Sequence, residues 1–277
     1  MTHTPSPIQL MEAHLRLNLG VYCDDIVLVD SIAIATSRTI PDIYWNYAYV
    51  RNGEPFDDAL LTTARSALKA AGRPPTLWQD SEQPIPEGWT IKSKEAWMWL
   101  GADKWSALTS QRPRSARSLA GVGSTEDEND LEIKAMATPS EDMQRVFEDA
   151  YSSGGAPGDV GYFQLPLEYG QAYLHGRVKL PTTVRHFSGY LHGQCVAIAT
   201  VGLWNSVGGL YSVATLHGFR RKGLGRRLSY EATRWAMEHG ATGVVLQTEA
   251  DSAVESLYRD LGYKRTHVGV LLGSSES

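Results

Sequence analysis

The chain has 277 residues, 42% of them hydrophobic and 21% charged, with a formal net charge of -5, the composition of an ordinary globular enzyme long enough for two domains. An acidic whole without a broad basic face excludes general nucleic-acid binding, and the lack of an apolar run of about eighteen residues excludes a helical membrane span. Cys23 and Cys195 stand far apart in apolar contexts with no metal-ligand spacing, and MTHTPSPIQL has no secretory pattern, so the expectation is buried thiols, no metal and a cytoplasmic location.

Taken in chain order, Ile8 to Leu19 has helical spacing, and Ile26 to Ala35 and Tyr44 to Val50 read as strands. Asp57 to Ala71 predicts a helix ended by Gly72 and Pro74, and Pro75 to Trp78 and Trp89 to Leu100 predict further strands. Ser110 to Asp130 turns from basic and Ser-rich to Gly-rich to acidic with no hydrophobic period, the composition of a linker. After it come a strand (Leu131 to Ala137), a helix (Glu141 to Tyr151) and a loop with a second helix reaching Gly176. A hairpin follows, Thr183 to Tyr190 and Gln194 to Leu203, turning at Leu191-His192-Gly193. The last elements are a strand (Leu210 to Thr215), a helix (Lys222 to His239), a strand (Gly243 to Thr248), a helix (Ser252 to Leu261) and a strand (Lys264 to Leu271). The C-terminal half is therefore a mixed α/β domain.

The octet from Arg220 to Arg227, RRKGLGRR, lies between an apolar strand and an amphipathic helix. Two glycines let the backbone approach an anion, successive N-H groups can point at it, and the helix start adds about half a positive charge. Five basic side chains gathered here in an acidic chain point to a local phosphate site. The pattern is neither a G-x-G-x-x-G dinucleotide fingerprint nor a P-loop. Taken alone, it is also compatible with a solvated basic helix start after a glycine-rich turn.

The stretch from Tyr211 to Gly262 resembles the GCN5-related N-acetyltransferase (GNAT) superfamily. Arg220, Gly223 and Gly225 match its Q/R-x-x-G-x-G/A signature, and Val254, Leu257, Tyr258, Gly262 and Tyr263 its later A-x-x-L-Y-x-x-x-G-F/Y element. The resemblance covers about Leu131 to Leu271. It implies the acyl-CoA N-acyltransferase fold, a mixed α/β (α+β) arrangement with a splayed central sheet flanked by helices. The N-terminal half lacks a second signature, yet its element order is compatible with a diverged copy. The expected division is thus 1–109 as the degenerate copy, 110–130 as linker and 131–277 as the acetyltransferase domain.

The resemblance further implies acetyl-CoA as cofactor, with Val213, Ala214 and Thr215 along the pantetheine and Arg220, Arg221, Lys222, Gly223, Leu224, Gly225 and Arg226 at the pyrophosphate. Tyr258 takes the position of the general acid near the sulfur. The base is less defined: Leu246 stands where some relatives carry a glutamate, leaving Glu249, His217 or a water-mediated route, and Glu249 is the preferred side chain. Asp251 stands where relatives often use an asparagine to contact the cofactor. Between the first two helices of this domain, Tyr162, Phe163 and Glu168 are expected in the acceptor wall, with packing of the aromatics on the core as the alternative. The aromatic run Tyr44 to Tyr49 either joins a shared cleft or forms a packing face.

The implied activity is transfer of acetyl to a primary amine of a small molecule, amino acid or peptide by direct attack. The alternatives are a non-catalytic acyl-CoA-binding module and an acyltransferase using a longer acyl-CoA. The expected partners are the amine acceptor and no nucleic acid or membrane; the chain allows a homodimer.

Overall fold

A computed structural model of the chain describes residues 4–110, 130–152, 164–179 and 183–275. By internal contacts the chain divides into two compact units. The first holds the described residues from 100 to 176 and from 181 to 244; the second holds those from 3 to 99, from 177 to 180 and from 245 onward. Tyr162 and Phe163 lie outside the described residues.

In the second unit, α1 (Pro7–Asn18) starts at a capping box. The Ser6 hydroxyl accepts from the Gln9 amide, the Gln9 side chain accepts from the Ser6 amide, and Pro7 pre-sets the first turn. β1 (Asp25–Val29) and β2 (Ile32–Thr36) then pair antiparallel. The sequence reading ran them together as one strand. Asp30, at φ 51°, turns the chain between them, a short polar break inside an apolar run. β3 (Tyr47–Val50) is shorter than the expected Tyr44 to Val50, and all four of its residues are buried. The aromatic run is therefore a packing surface: Trp45 stacks on His14 at 5.2 Å and on Tyr22 at 5.0 Å.

α2 (Asp58–Ala70) follows, then β4 (Thr76–Asp80) and β5 (Trp89–Gly101). β3 runs parallel to β4 and meets it only at Ala48 and Leu77. Ile32, Ile34, Ala48, Val50 and Leu77 form the core beneath Ala64 and Leu68 of α2. On the other face α1 brings Met11 to the Tyr47 hydroxyl and His14 to the edge of the Trp97 ring.

The last strand of the chain, β11 (Lys264–Ser274), lies between β4 and β5, antiparallel to both. Residues 264–274 thereby complete the sheet of the N-terminal segment, which is why the compact units do not follow the expected boundaries at 109 and 131.

In the first unit, α3 (Ala102–Ser110) is a helix that the sequence reading did not contain. None of its residues is buried; Ala102, Trp105 and Leu108 lie half-buried at three-residue steps, and Trp105 rests against Tyr230 at 5.0 Å. β6 (Glu132–Met136), β7 (Thr183–Leu191), β8 (Gln194–Trp204) and β9 (Val207–Thr215) form an antiparallel meander. His192 at φ 49° and Gly193 at φ 81° make the first hairpin turn, and Asn205 and Ser206, both at positive φ, make the second, as two-residue hairpin turns require.

α4 (Glu141–Tyr151) begins at Ser140, whose hydroxyl accepts from the Met143 amide, and α5 (Leu167–His175) packs on it. Phe147 of α4 stacks on Tyr173 of α5, which meets His186 of β7 edge-on. α6 (Leu224–Glu238) covers the opposite face, where a Cβ at Gly189 would strike Leu228 at 3.1 Å. Its buried Leu224, Leu228, Ala232 and Ala236 match the expected stripe, whereas Trp235 is half-buried and His239 exposed. α6 leads into β10 (Gly243–Glu249), within which the boundary between the units falls, and α7 (Ala253–Asp260) belongs to the second unit.

Cys23 and Cys195 are free and buried, and burial pushes their thiols up to about 12 and about 11. No helix of the described residues is long and apolar enough to cross a membrane, and they hold no cluster of His, Cys, Asp and Glu that could bind a metal.

Candidate functional site

The loop and strand expected to hold the cofactor lie together in the first unit. β9 runs in register with β8 until a bulge: Ala214 pairs with Ile198 and Tyr211 with Thr200, leaving Ser212 and Val213 across from Ala199. Ser212 at φ 50° marks the bulge. A bulge bends the strand and takes main-chain groups out of the ladder, so an extended ligand arm can be offered the backbone of Val213, Ala214 and Thr215.

Beyond β9 a one-turn 3-10 helix, His217–Phe219, leads to Arg220. Arg221 at φ 65° and Gly223 at φ 79° are left-handed on either side of Lys222. Alternating hand turns successive amides toward one concavity, an anion-binding nest. Gly223 is the N-cap of α6 and supplies no side chain to the first amides of the helix; no acidic residue stands in the first turn. In four other helices these donors are taken, Ser6, Asp57, Ser140 and Ser252 each capping through the side chain, while α5 starts at Pro166 without a side-chain cap. The first turn of α6 is left open for an external acceptor.

Gly225 completes the cradle. Its φ is not left-handed, and a Cβ there would find Thr215 Oγ1 at 3.4 Å and Val213 Cγ1 at 4.0 Å, ordinary contact distances. The fold alone therefore tolerates alanine at 225. A missing side chain at that place keeps open the space between the start of α6 and the end of β9, as close approach of a diphosphate requires. The residues present fit an acyl-CoA.

The basic side chains divide their work. Arg220 turns inward: its Nε donates to the Thr215 carbonyl at 3.3 Å and its terminal nitrogen to the Ala150 carbonyl at 2.6 Å. Arg227 pairs at 2.9 Å with the buried Glu231, which also holds Arg234 at 2.7 Å. Lys222 lies over the Phe219 ring at 5.4 Å, and Arg221 is exposed.

The same order of strand, helix and strand recurs in the N-terminal segment as β3, α2 and β4, without a cradle. Asp57 caps α2 by accepting from the Leu60 amide at 2.8 Å, and Asp58 opens its first turn. Two carboxylates where a phosphate would sit exclude it by charge and by occupied donors.

Glu249 and Tyr258 belong to the second unit. Tyr258 lies in α7, 6% exposed, with its ring edge-on to Tyr263 at 5.8 Å. Glu249 is exposed at the end of β10, where its carbonyl accepts from Ser252. Leu246 is buried. Leu257, expected in the core, is only half-buried, and Val254 is 52% exposed. Glu168 is exposed in the first turn of α5.

Two ionic features around α7 and β5 are not visible in the sequence reading. Arg265 of β11 hydrogen-bonds Glu255 through its Nε at 2.8 Å and again through its terminal nitrogen, which also meets Asp251 at 2.6 Å. These hydrogen bonds hold both carboxyls below the usual carboxylate range. Asp251 is thereby engaged with Arg265, the partner its position did not suggest. Glu95 in β5 stands across from Gly269, and burial pushes its carboxyl up to about 7. Neither feature has a local motif; each depends on which strands pair.

Residues 143–263 match the Acetyltransferase (GNAT) family. The chain is similar to a solved GCN5-related N-acetyltransferase from Kribbella flavida at 20% identity and a TM-score of 0.66, covering 99% of this chain and 98% of that one. It is similar as well to a tandem GNAT protein from the clavulanic acid biosynthesis pathway, at 15% identity, a TM-score of 0.59 and coverage of 99% and 89%. A functionally unknown conserved protein from Staphylococcus epidermidis gives 14% identity, a TM-score of 0.58 and coverage of 92% and 96%. At these identities the likeness is one of fold, and it extends over both segments of the chain. No curated protein matches.

Proposed function

Because residues 143–263 match the Acetyltransferase (GNAT) family, we propose that the chain transfers acetyl from acetyl-CoA to a primary amine of a small molecule, amino acid or peptide. The observation that carries this reading is the uncapped start of α6, lined by Gly223 and Gly225 at the end of a bulged strand.

In this reading the amides of residues 221–226 hold the pyrophosphate, and the backbone of Val213, Ala214 and Thr215 aligns the arm that leads to the sulfur. When bound, acetyl-CoA supplies a thioester carbonyl open to attack by a neutral amine. Glu249 takes the proton released from the acceptor nitrogen, its exposure at the strand end leaving the carboxylate accessible. Tyr258 holds a proton at its phenol oxygen for the departing sulfur, and its burial supports this role by keeping bulk water away from the ring. Glu168, with Tyr162 and Phe163, lines the acceptor side and draws in the ammonium form before it loses its proton.

Isothermal titration with CoA should give one site per chain, since the acidic start of α2 supports no second one. Thiol release across a panel of amines, followed for the wild type and Tyr258→Phe, tests the chemistry. Turnover with at least one amine, reduced on the order of a hundredfold by Tyr258→Phe, is expected for an acid catalyst. CoA binding with no thiol release from any acetyl or longer acyl donor would instead identify a binding module, and preference for a longer donor would reassign the acyl group.

A further inference from the structure

We propose that Asp149 is a positioning residue for the cofactor loop, holding it in its binding shape through His217; the proposal rests on the acyl-CoA reading of that loop. Three consecutive residues in the last turn of α4 hold this region: Asp149 and Ala150 grip the segment between β9 and α6, and Tyr151 grips β9 itself. One oxygen of Asp149, Oδ2, accepts from the His217 main-chain amide at 2.9 Å and lies 3.0 Å from His217 Nδ1. The Ala150 carbonyl accepts from Arg220 at 2.6 Å, and the Tyr151 hydroxyl reaches the Val213 carbonyl at 3.4 Å.

The loop needs such a grip. Arg221 is left-handed at φ 65°, a conformation disfavoured for a residue with a Cβ that persists only where the surroundings impose it. On one side Gly223 and the first turn of α6 impose it, the Gly223 carbonyl accepting from Arg227 at 2.9 Å. On the other side the chain from Leu216 to Arg220 is fixed from β8, whose Val196 carbonyl accepts from the Leu216 amide at 2.9 Å, and from α4. Asp149 orders the turn at its first residue, through both the main chain and the ring. A carboxylate facing Nδ1 keeps a proton on that nitrogen. The side chains of His217 and Asp149 are 37% and 43% exposed, so the pair adds little to global stability. What it fixes is local: the direction in which the amides of residues 221–225 point. Asp149 stands 68 residues before His217, beyond the reach of any loop signature.

The test is titration of the purified full chain with CoA. Asp149→Ala should weaken CoA binding about tenfold, the size of one or two lost hydrogen bonds, with an unchanged melting temperature. Asp149→Asn keeps an acceptor oxygen and should recover most of the affinity, a rescue that a merely structural role for the carboxylate would not produce. His217→Ala, which retains the main-chain donor, should fall between them and serves if Asp149→Ala proves unstable. Wild-type affinity in Asp149→Ala, or an Asn variant no better than Ala, overturns the proposal while leaving the loop as the CoA site. A wild-type chain that fails to bind CoA overturns the loop reading and the positioning role together.

Discussion

Gly225 is the residue whose identity the fold does not explain. Alanine there would meet Thr215 and Val213 at ordinary distances and is admitted by the signature itself, so the sharper probe is Gly225→Asp. This variant should melt within a few degrees of the wild type yet bind CoA at least tenfold more weakly, because it brings bulk and a negative charge to the place of the pyrophosphate. Parallel thermal melts and titrations check this, and equal affinity would remove Gly225 from the site. Arg265 presents the opposite case, a residue required by the fold. Glu255, with its side chain 1% exposed, depends on it for its charge. Arg265→Ala leaves a buried carboxylate without its guanidinium and should cost about 3 kcal/mol of unfolding free energy. Adding Glu255→Gln should recover part of that loss. A denaturant titration showing the single variant within about 0.5 kcal/mol of the wild type would contradict the pairing.

Elements differed in how plainly they could be read from the residues. α4 and α6 carry their own start signals and apolar stripes, and the glycine turn and bulged strand lie close together in sequence, so the elements proposed to hold the cofactor could be located from the residues. The Asp30 turn, buried in the run from Ile26 to Ala35, was not, because one left-handed residue suffices to reverse an apolar strand. α3 escaped for another reason: at nine residues its apolar side amounts to Ala102, Trp105 and Leu108, too short a period to stand out. The roles of the arginines were legible only as charge. Arg220 hydrogen-bonds two carbonyls and Arg227 pairs with Glu231, so these two are engaged within the protein. Asp149, Glu95 and Glu255 owe their settings to partners distant in the chain, and no spacing rule reaches them.

At the scale of the whole molecule, acid sensitivity follows from the buried His14 and the half-buried His267, opposed by the half-buried Glu95. Burial lowers His14 to about 3 and His267 to about 4 from an ordinary 6.5, so the native state takes up fewer protons than the unfolded chain as the pH falls below 6.5. Stability is therefore lost from there downward. Glu95, raised from 4.5 to about 7, acts in the other direction: its burial penalty is fully present above pH 7 and relieved as the proton returns. Two histidines outweigh one glutamate between pH 6.5 and 4.5, and the carboxylates held low by Arg265 add further loss in more acidic solution. Melting temperature against pH should pass through a maximum near 6.5, and Glu95→Gln should flatten the alkaline side. A profile still rising from pH 7 to 8.5 in the wild type would contradict the Glu95 assignment.

The insertion of β11 between β4 and β5 also sets a timetable. On the ribosome, β4 and β5 emerge well before the strand that joins them, because the whole segment from α3 to α7 is synthesised in between. Until β11 arrives, the facing edges of β4 and β5 stay unpaired. A chain interrupted before residue 264 thus lacks the strand that closes the part made first, and its N-terminal sheet keeps those edges open.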